Sequence, residues 1–196
     1  MTNSIKNVCV FASSSTALDK VFYNAARELG LLLGQNNYNI VYGGSRLGMM
    51  YACAGAVKES GGKICGIMPE RIVSFGCANP EDCDEFLVTK GMRERKALLD
   101  EKSDAIIALA GGYGTLEELS EMIVQKQLGY NQKPIILLNT KGFYNNLIKF
   151  FDDIISMKFA NKESKNIYYV ASTPSDAIDY LKNYSVTETV SKYIIK

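Results

Sequence analysis

The feature that most constrains the fold of this chain is a short apolar run that leads directly into a cluster of glycines. Residues 104–109 (DAIIAL) form a short apolar run, which is typical of a buried parallel strand. Three glycines follow within residues 111–114, and glycine permits positive φ angles and leaves main-chain N–H groups uncovered. Thr115 can act as an N-cap with Glu118 at the capping-box spacing, so we expect a helix that begins at or just after Thr115.

A strand, a glycine turn and a helix N-terminus together make an anion-binding site, because free N–H groups and the helix dipole point to the same place. The sequence from residue 104 to residue 119 therefore predicts a phosphate site. The alternative interpretation is a tight turn that only connects two core elements.

Length and charge limit the classes of function. A chain of 196 residues suits one α/β domain, which we expect to cover residues 1–196. Lys plus Arg total 22 and Asp plus Glu total 21, so a net charge of +1 gives no indication of nucleic acid as a partner. Because the chain contains no histidine, a general acid or base must be a carboxylate, Lys, Tyr, Cys or a water held by one of them.

The sequence also predicts a cytoplasmic protein without a metal. No apolar run approaches the roughly 20 residues that cross a bilayer, so no membrane association is expected. Residues 1–7 lack the layout of a signal peptide. The five cysteines include no close pair with zinc-site spacing, and with no histidine present a structural metal is not expected.

Short apolar strands alternate with helical patterns along the chain. This alternation predicts an α/β fold, a single-domain Rossmann-like, doubly wound and mostly parallel sheet flanked by helices. We expect strands at residues 8–12, 38–42, 63–68, 85–88, 104–109, 134–139 and 168–170. Residues 69–83 show no clear periodicity, which is typical of a functional or mobile loop.

Three turns follow strands and should meet at one edge of the sheet. They are the serine turn at residues 13–16 and the glycine turns at residues 43–48 and 110–115. We expect the serine turn to cap the first helix, and a contact between Ser13 and a ligand is left open. Ligands of doubly wound sheets bind beyond the carboxyl ends of the strands, so the convergence of three turns predicts a binding site there.

Neither glycine turn matches a dinucleotide or triphosphate loop. Residues 43–48 do not follow the first strand, and no turn ends in Gly-Lys-Ser or Gly-Lys-Thr. A nucleoside monophosphate or a sugar phosphate therefore fits better than NAD or ATP. Arg93, Arg95 and Lys96 are candidate contacts to phosphate or base, with a solvated helix face as the alternative.

An acidic cluster begins directly after the second glycine turn. Glu118 and Glu121 are three residues apart and share a helix face, whereas Glu117 points elsewhere. A carboxylate beside a phosphate site can stabilise positive charge on a ribose or activate a water, which are the requirements of glycosidic cleavage. The alternative is stabilisation of the helix dipole, worth about 0.3–1 kcal/mol for each carboxylate.

The chain contains the segments MRERK at residues 92–96 and, further on, GGYGTLEE at residues 111–118. In this order they resemble the two motifs of the LOG family, the cytokinin riboside 5′-monophosphate phosphoribohydrolases long labelled as possible lysine decarboxylases. The segments VYGG at residues 41–44 and QLG at residues 127–129 are also similar, and the resemblance extends from the first strand to about residue 180.

The resemblance implies a reaction and a site. The arginine and the glutamate that are catalytic in the family fall on Arg95 and Glu118, and the glycine-threonine loop would hold the 5′-phosphate. Hydrolysis would release an adenine-type base and ribose 5-phosphate, without a metal or an organic cofactor. The family also implies a homodimer with its active site near the subunit interface. The predicted substrate-binding residues are Ser13, Gly43, Gly44, Met92, Lys96, Gly111, Gly112, Gly114, Thr115 and Glu121.

The chain departs from the family pattern at three positions. Ala110 stands where the family usually has proline, Arg93 where many members have histidine, and Ser45 where a third glycine is usual. These departures leave the preferred substrate open. A non-catalytic nucleotide carrier on the same fold is the alternative function, although a carrier has no need of both Arg95 and Glu118. A lysine decarboxylase is disfavoured, because no recognisable set of residues would hold pyridoxal phosphate.

Overall fold

The computed structural model describes residues 5–186, and its strands form one sheet in which all neighbouring strands are parallel. The sheet has the order β4-β3-β2-β1-β5-β6-β7. In chain order the strands are β1 (Asn7–Phe11), β2 (Asn39–Tyr42), β3 (Ile64–Pro69), β4 (Glu85–Thr89), β5 (Ala105–Ala108), β6 (Ile135–Leu138) and β7 (Tyr169–Ala171). The doubly wound parallel sheet predicted from the sequence is thereby confirmed.

Helices follow the strands and cover both faces of the sheet. They are α1 (Lys20–Gln35), α2 (Gly48–Glu59), α3 (Glu70–Val73), α4 (Met92–Glu101), α5 (Tyr113–Gln127), α6 (Asn145–Ser156) and α7 (Pro174–Asn183), with 3₁₀ turns at Pro80–Asp82, Thr140–Gly142 and Lys162–Asn166. Residues 1–4 and 187–196 of the predicted domain lie outside the described residues.

Alternation along β1 divides the core into two layers. Val8 and Val10 pack with residues of α1, α2 and α7, whereas Cys9 and Phe11 pack with residues of α4 and α5. Successive side chains of a strand point to opposite faces, so a strand that is covered on both sides must be apolar throughout. All four residues of β5 and of β6 are accordingly buried. The apolar runs of the sequence thus identify the strands because helices cover both faces.

The order of the strands places a topological switch point between β1 and β5. The chain passes outward from β1 through β2 and β3 to β4, and then returns to β5 on the other side of β1. The connections that follow β1 and β5 therefore diverge, which opens a crevice at the carboxyl edge of the sheet.

Two of the predicted helix starts are wrong. Helix α5 begins at Tyr113, with Gly112 as an N-cap that provides no side-chain hydrogen bond, so Thr115 lies inside the first turn and does not form a capping box with Glu118. Leu116 N–H donates to the Gly112 carbonyl and closes this earlier turn. The serine turn does not cap α1 either, because Asp19 accepts the hydrogen bond from Val21 N–H.

The segment without periodicity at residues 69–83 has its own order. It begins with the last residue of β3, continues into α3, and forms an antiparallel bridge between Ala78 and Ser45. Arg46 Nε donates to the Ala78 carbonyl at 2.6 Å, which fastens the segment to the first glycine turn. The segment is therefore a wall attached to the carboxyl edge of the sheet.

Candidate active site

One cleft of about 400 Å³ lies where the three turns meet. Ser13, Gly43, Met92, Arg95, Gly112, Gly114, Thr115 and Glu118 line it, all of them predicted site residues. The convergence of the turns at residues 13–16, 43–48 and 110–115 places them together, although they are far apart in sequence. The cleft lies at the switch point, where doubly wound sheets bind their ligands.

A buried ion pair between α4 and α5 lies at this cleft. Arg95 and Glu118 are only 6% and 5% exposed, and Arg95 Nη1 donates to Glu118 Oε1 at 2.5 Å. Arg95 Nε donates to the Ile67 carbonyl of β3 at 3.0 Å, which fixes the plane of the guanidinium group. Within residues 5–186, Arg95 Nη2 and Glu118 Oε2 have no hydrogen-bond partner. These two atoms are available to a ligand in the cleft.

The environment of Glu118 tunes its acidity. Burial raises the pKa of Glu118 because desolvation disfavours the carboxylate, while the charge and the hydrogen bond of Arg95 act in the opposite direction. Removal of a buried charge partner is costly, so the pair is expected to act as a unit. A raised pKa makes a carboxylate a stronger proton acceptor, as a general base requires.

The turn before α5 is an open helix N-terminus. The first N–H groups of a helix have no partner within the helix, and Gly112 caps none of them with a side chain. The hydrogen bonds in the described part of the chain use none of the N–H groups of Tyr113, Gly114 and Thr115. A Cβ added at Gly112 or Gly114 would meet no atom within 4 Å. Uncapped N–H groups at a helix N-terminus, together with the helix dipole, favour an anion.

Gly111 has a different role in the same turn. A Cβ at Gly111 would lie 2.1 Å from Thr115 Oγ1, so glycine is needed there for the buried Thr115 side chain to fold back over the turn. Gly111 is not among the residues that line the cleft. Its contact with a substrate remains a prediction.

The turn before α2 is closed by the chain itself. The N–H groups of Met49 and Met50 donate to the Ser13 carbonyl at 2.9 and 3.3 Å, and Leu47 N–H donates to Ser45 Oγ at 3.1 Å. Hydrogen-bond donors at the start of α2 are therefore already used by protein acceptors.

The glycines of this closed turn make room for other groups. A Cβ at Gly43 would lie 2.5 Å from Arg95 Nη2. Gly44 has a φ of +72°, and its Cβ would lie 2.9 Å from the Phe86 ring. Gly44 does not line the cleft, and the predicted substrate contact at this residue remains a prediction.

The basic run at the start of α4 divides into three environments. Arg95 is buried at the cleft, whereas Arg93 is exposed and is not among the cleft residues. Lys96 forms ion pairs with Glu117 and Glu121 of α5 and also lies off the cleft lining. The predicted substrate contacts of Lys96 and Glu121 therefore remain predictions, and only Arg95 of the three basic residues lines the cleft.

Sequence reasoning missed the apolar part of the cleft. It is formed by Leu47 and Met50 at the start of α2, Met68 of β3, and Ile72 and Cys77 of the wall segment. The only signal for it was the segment without periodicity at residues 69–83, which does supply two of these side chains. Apolar side chains carry no motif, and their convergence depends on the tertiary fold.

Three further findings concern the described residues alone. Within residues 5–186, no three His, Cys, Asp or Glu side chains are grouped so that they could hold a metal ion. No helix there is long and apolar enough to cross a bilayer. All five cysteines are free thiols.

The fold and the cleft define a Rossmann-like α/β protein with an uncapped helix N-terminus beside a buried arginine–carboxylate pair. The chain belongs to the LOG family, whose family model has the description "Possible lysine decarboxylase" and matches residues 49–181. This confirms the family membership that the two sequence motifs predicted.

Curated relatives and solved structures support this membership at different levels. The chain is 39% identical to a probable cytokinin riboside 5′-monophosphate phosphoribohydrolase from Oryza sativa subsp. japonica, over 92% of this chain and 73% of that protein. It is 38% identical to a cytokinin riboside 5′-monophosphate phosphoribohydrolase from Arabidopsis thaliana, over 91% and 78% of the two chains. The molybdenum cofactor carrier protein of Chlamydomonas reinhardtii has a similar structure, with a TM-score of 0.70, 24% identity, and coverage of 91% and 96%. This last likeness shows the fold alone.

Proposed function

We propose that this protein is a phosphoribohydrolase that cleaves the N-glycosidic bond of adenine-type nucleoside 5′-monophosphates. The products are the free base and ribose 5-phosphate, and the substrates include cytokinin riboside 5′-monophosphates, as the names of the relatives indicate. The observation that carries the proposal is the buried Arg95–Glu118 pair next to the open N-terminus of α5.

The open turn binds the 5′-phosphate. The uncapped N–H groups at Gly114 and Thr115 donate to phosphate oxygens, and the absence of side chains at Gly112 and Gly114 lets the phosphate approach the backbone. Binding there fixes the ribose next to Glu118, which lies in the second turn of the same helix. The phosphate therefore positions the sugar for reaction.

Glu118 acts on the sugar carbon C1′. Its Oε2 atom holds a water, takes a proton from it and stabilises the positive charge that develops on the ribose. The water oxygen forms a bond to C1′ while the bond from C1′ to the base nitrogen breaks, and solvent supplies the proton to the departing base. Arg95 keeps the Glu118 carboxylate in place through Nη1 and contacts the substrate through Nη2.

The apolar part of the cleft binds the base. Met50, Met68 and Ile72 line the cleft and offer adaptable apolar contact to a base with an apolar substituent. Burial of each additional CH₂ group is worth about 0.8 kcal/mol. We therefore expect isopentenyladenosine monophosphate to bind more tightly than AMP, which is a substrate of the proposed reaction as well.

We also propose that the protein is a homodimer. Helix α6 has no fully buried residue, and this helix and the segment directly after it expose large apolar side chains, including Phe150 (55%), Met157 (59%) and Phe159 (76%). Exposed apolar patches of this kind mark interaction surfaces. Analytical ultracentrifugation tests the proposal, and a monomer at micromolar concentration would contradict it. The cytoplasmic location remains a prediction from the sequence.

The reaction is tested with purified protein, AMP and isopentenyladenosine monophosphate, with free base and ribose 5-phosphate as the measured products. We expect release from both nucleotides, and a loss of about 10²–10⁴-fold in kcat for Glu118→Gln, the range for removal of a general base. Glu28→Gln, at an exposed glutamate of α1, is the matched control and should retain full activity. Binding of both nucleotides without release of base would exclude the enzyme and favour a carrier.

A further inference from the structure

Lys96 lies next to Arg95 on α4 and contacts α5 on both sides of Glu118. Its Nζ atom forms ion pairs with Glu117 and with Glu121, the latter at 2.5 Å. The Lys96 side chain is only 15% exposed although it carries a charge. Residues four positions apart lie one above the other on a helix, so Glu117 and Glu121 present two carboxylates to one ammonium group. The expectation that Glu117 points away from Glu121 was therefore wrong.

Two adjacent cations of α4 therefore hold three carboxylates of α5. Arg95 holds Glu118 inside the protein, while Lys96 holds the other two carboxylates at its edge. Lys96 does not line the cleft, and its ammonium group is already paired with two acidic side chains. This arrangement is unsuited to a direct contact with a phosphate, since a phosphate would compete with two carboxylates for one cation.

We infer that Lys96 is a positioning residue: by binding Glu117 and Glu121 it fixes α5 against α4 and keeps Glu118 at hydrogen-bond distance from Arg95. The inference rests on the proposed function, because loss of Lys96 is expected to slow the step in which Glu118 accepts a proton from water. The side chains of Glu117 and Glu121 are 53% and 35% exposed, and ion pairs with exposed partners contribute little to stability. The expected effect of Lys96 is therefore on the geometry and the acidity of the site more than on folding.

The charges around Glu118 provide a readout that a purely structural lysine would not give. Arg95 and Lys96 of α4 lower the pKa of Glu118, Glu117 of its own helix raises it, and the buried Cys9 thiol of β1 lies nearby. Loss of the Lys96 charge should therefore move the acid limb of the activity profile to higher pH. Loss of the Glu117 charge should move it to lower pH.

The test compares Lys96→Met with Lys96→Arg. We expect Lys96→Met to lower kcat at least tenfold and to move the acid limb upward, while the inhibition constant of ribose 5-phosphate stays within twofold. Lys96→Arg, which keeps the charge, should restore most of the turnover. Lys102→Met is the matched control, because Lys102 lies directly after α4 and pairs with Glu85 at 2.8 Å, away from the cleft. It should change none of these quantities.

A double-mutant cycle identifies the partners. If Lys96 acts through Glu117 and Glu121, then Lys96→Met should have no further effect on kcat in the Glu117→Gln/Glu121→Gln variant. An unchanged kcat in Lys96→Met, or a full further loss in that variant, would overturn the inference. A rise of tenfold or more in the inhibition constant with normal kcat would instead make Lys96 a substrate contact.

A measurement without turnover separates this inference from the proposed reaction. The ¹³C NMR titration of the Glu118 carboxyl group reports its pKa in the wild type and in Lys96→Met, whether or not the protein hydrolyses a nucleotide. A higher pKa in Lys96→Met that is absent when Glu117 and Glu121 are already replaced by Gln supports the positioning role even if no base is released, because a direct effect of the Lys96 charge on Glu118 would persist there. An unchanged pKa overturns it even if the enzyme is active.

Discussion

The two glycine turns of this protein look alike in sequence and differ in what they do with the following helix. At residues 43–48 the Ser13 carbonyl and Ser45 Oγ accept the hydrogen bonds of N–H groups at the start of α2. At residues 110–115 no side chain caps α5, and the N–H groups of its first turn remain available at the cleft. The first turn is part of the scaffold, whereas the second can bind an anion.

The glycines of the two turns are needed for different reasons. In the closed turn, a Cβ at Gly43, Gly44 or Gly48 would lie between 2.5 and 2.9 Å from another atom of the protein. In the open turn, a Cβ at Gly112 or Gly114 would meet nothing within 4 Å. Protein packing therefore explains glycine in the closed turn. In the open turn, packing against Thr115 explains Gly111, whereas no contact within the protein explains Gly112 and Gly114, where the proposed phosphate site would need an uncovered backbone.

The largest effect on stability is expected for Gly48→Ala in the closed turn. Gly48 has a φ of +64°, and its Cβ would lie 2.5 Å from the backbone carbon of Ser14. The left-handed conformation costs about 1–2 kcal/mol and the overpacking about 1–3 kcal/mol more. We expect the free energy of unfolding, measured with urea, to fall by about 2–5 kcal/mol.

Gly61→Ala is the control that separates conformation from packing. Gly61 has a φ of +91°, but a Cβ there would meet nothing within 4 Å. Its cost should be the conformational part alone, about 1–2 kcal/mol. Equal losses in the two variants would show that Gly48 is not closely packed against the serine turn, and the comparison between the turns would fail.

A large effect on turnover is expected for Gly43→Ala. The new methyl group would displace Arg95 Nη2, which lies 2.5 Å from the Cβ position, and would disturb the Arg95–Glu118 pair. Misplacement of a catalytic group by about 1 Å can cost about 10²-fold, so we expect a loss of that order in kcat. Gly55→Ala in α2, whose Cβ would approach only Tyr51 at 4.0 Å, should leave kcat unchanged. Normal turnover in Gly43→Ala would contradict the role given to this glycine.

The strands of the sheet could be predicted from the sequence, whereas the first residue of α5 could not. Strands such as β5 and β6 are buried on both faces, so their apolar runs identify them directly. The N-cap of α5 is Gly112, which has no side chain to mark it, and the prediction therefore chose the hydroxyl of Thr115. The rule that a polar side chain caps a helix start therefore failed at α5, whose N-cap has no side chain.

The motif residues of the candidate site could be predicted from the sequence, whereas the residues that surround them in the cleft could not. The resemblance to the LOG family identified Arg95 and Glu118, and the structure pairs them. The closure of the first glycine turn depends on the carbonyl of Ser13, which belongs to another strand connection. The apolar residues Ile72 and Cys77 reach the cleft because the bridge between Ser45 and Ala78 and the hydrogen bonds of Arg46 hold their segment at the sheet edge. Such contacts are long-range, and no local pattern encodes them.

A negative charge at the open turn should lower the affinity for the phosphate without changing kcat. We expect this effect to be smaller than those of Gly48→Ala on stability and Gly43→Ala on turnover. Gly114→Asp places a carboxylate where the phosphate is proposed to bind, without a steric conflict within the protein. We expect the inhibition constant of ribose 5-phosphate to rise at least tenfold more than in Gly114→Asn, which has the same size and no charge. The difference should decrease in high salt, because exposed charges are screened. Equal constants for the two variants would show that no anion binds at this turn.

The smallest effect on stability is expected for Gly114→Ala. Its sign distinguishes the two turns, because alanine should stabilise the protein at Gly114 and destabilise it at Gly48. Gly114 lies in the first turn of α5 with open space around it, and replacement of glycine by alanine at a compatible position stabilises a protein by about 0.4–1 kcal/mol. We expect the free energy of unfolding to rise by this amount while KM for the nucleotide also rises, because the methyl group enters the cleft. If Gly114→Ala stabilises the protein and Gly48→Ala destabilises it, glycine at position 114 serves ligand binding and lowers the stability of the fold. A loss of stability in Gly114→Ala would mean that this glycine, too, serves the packing of the protein.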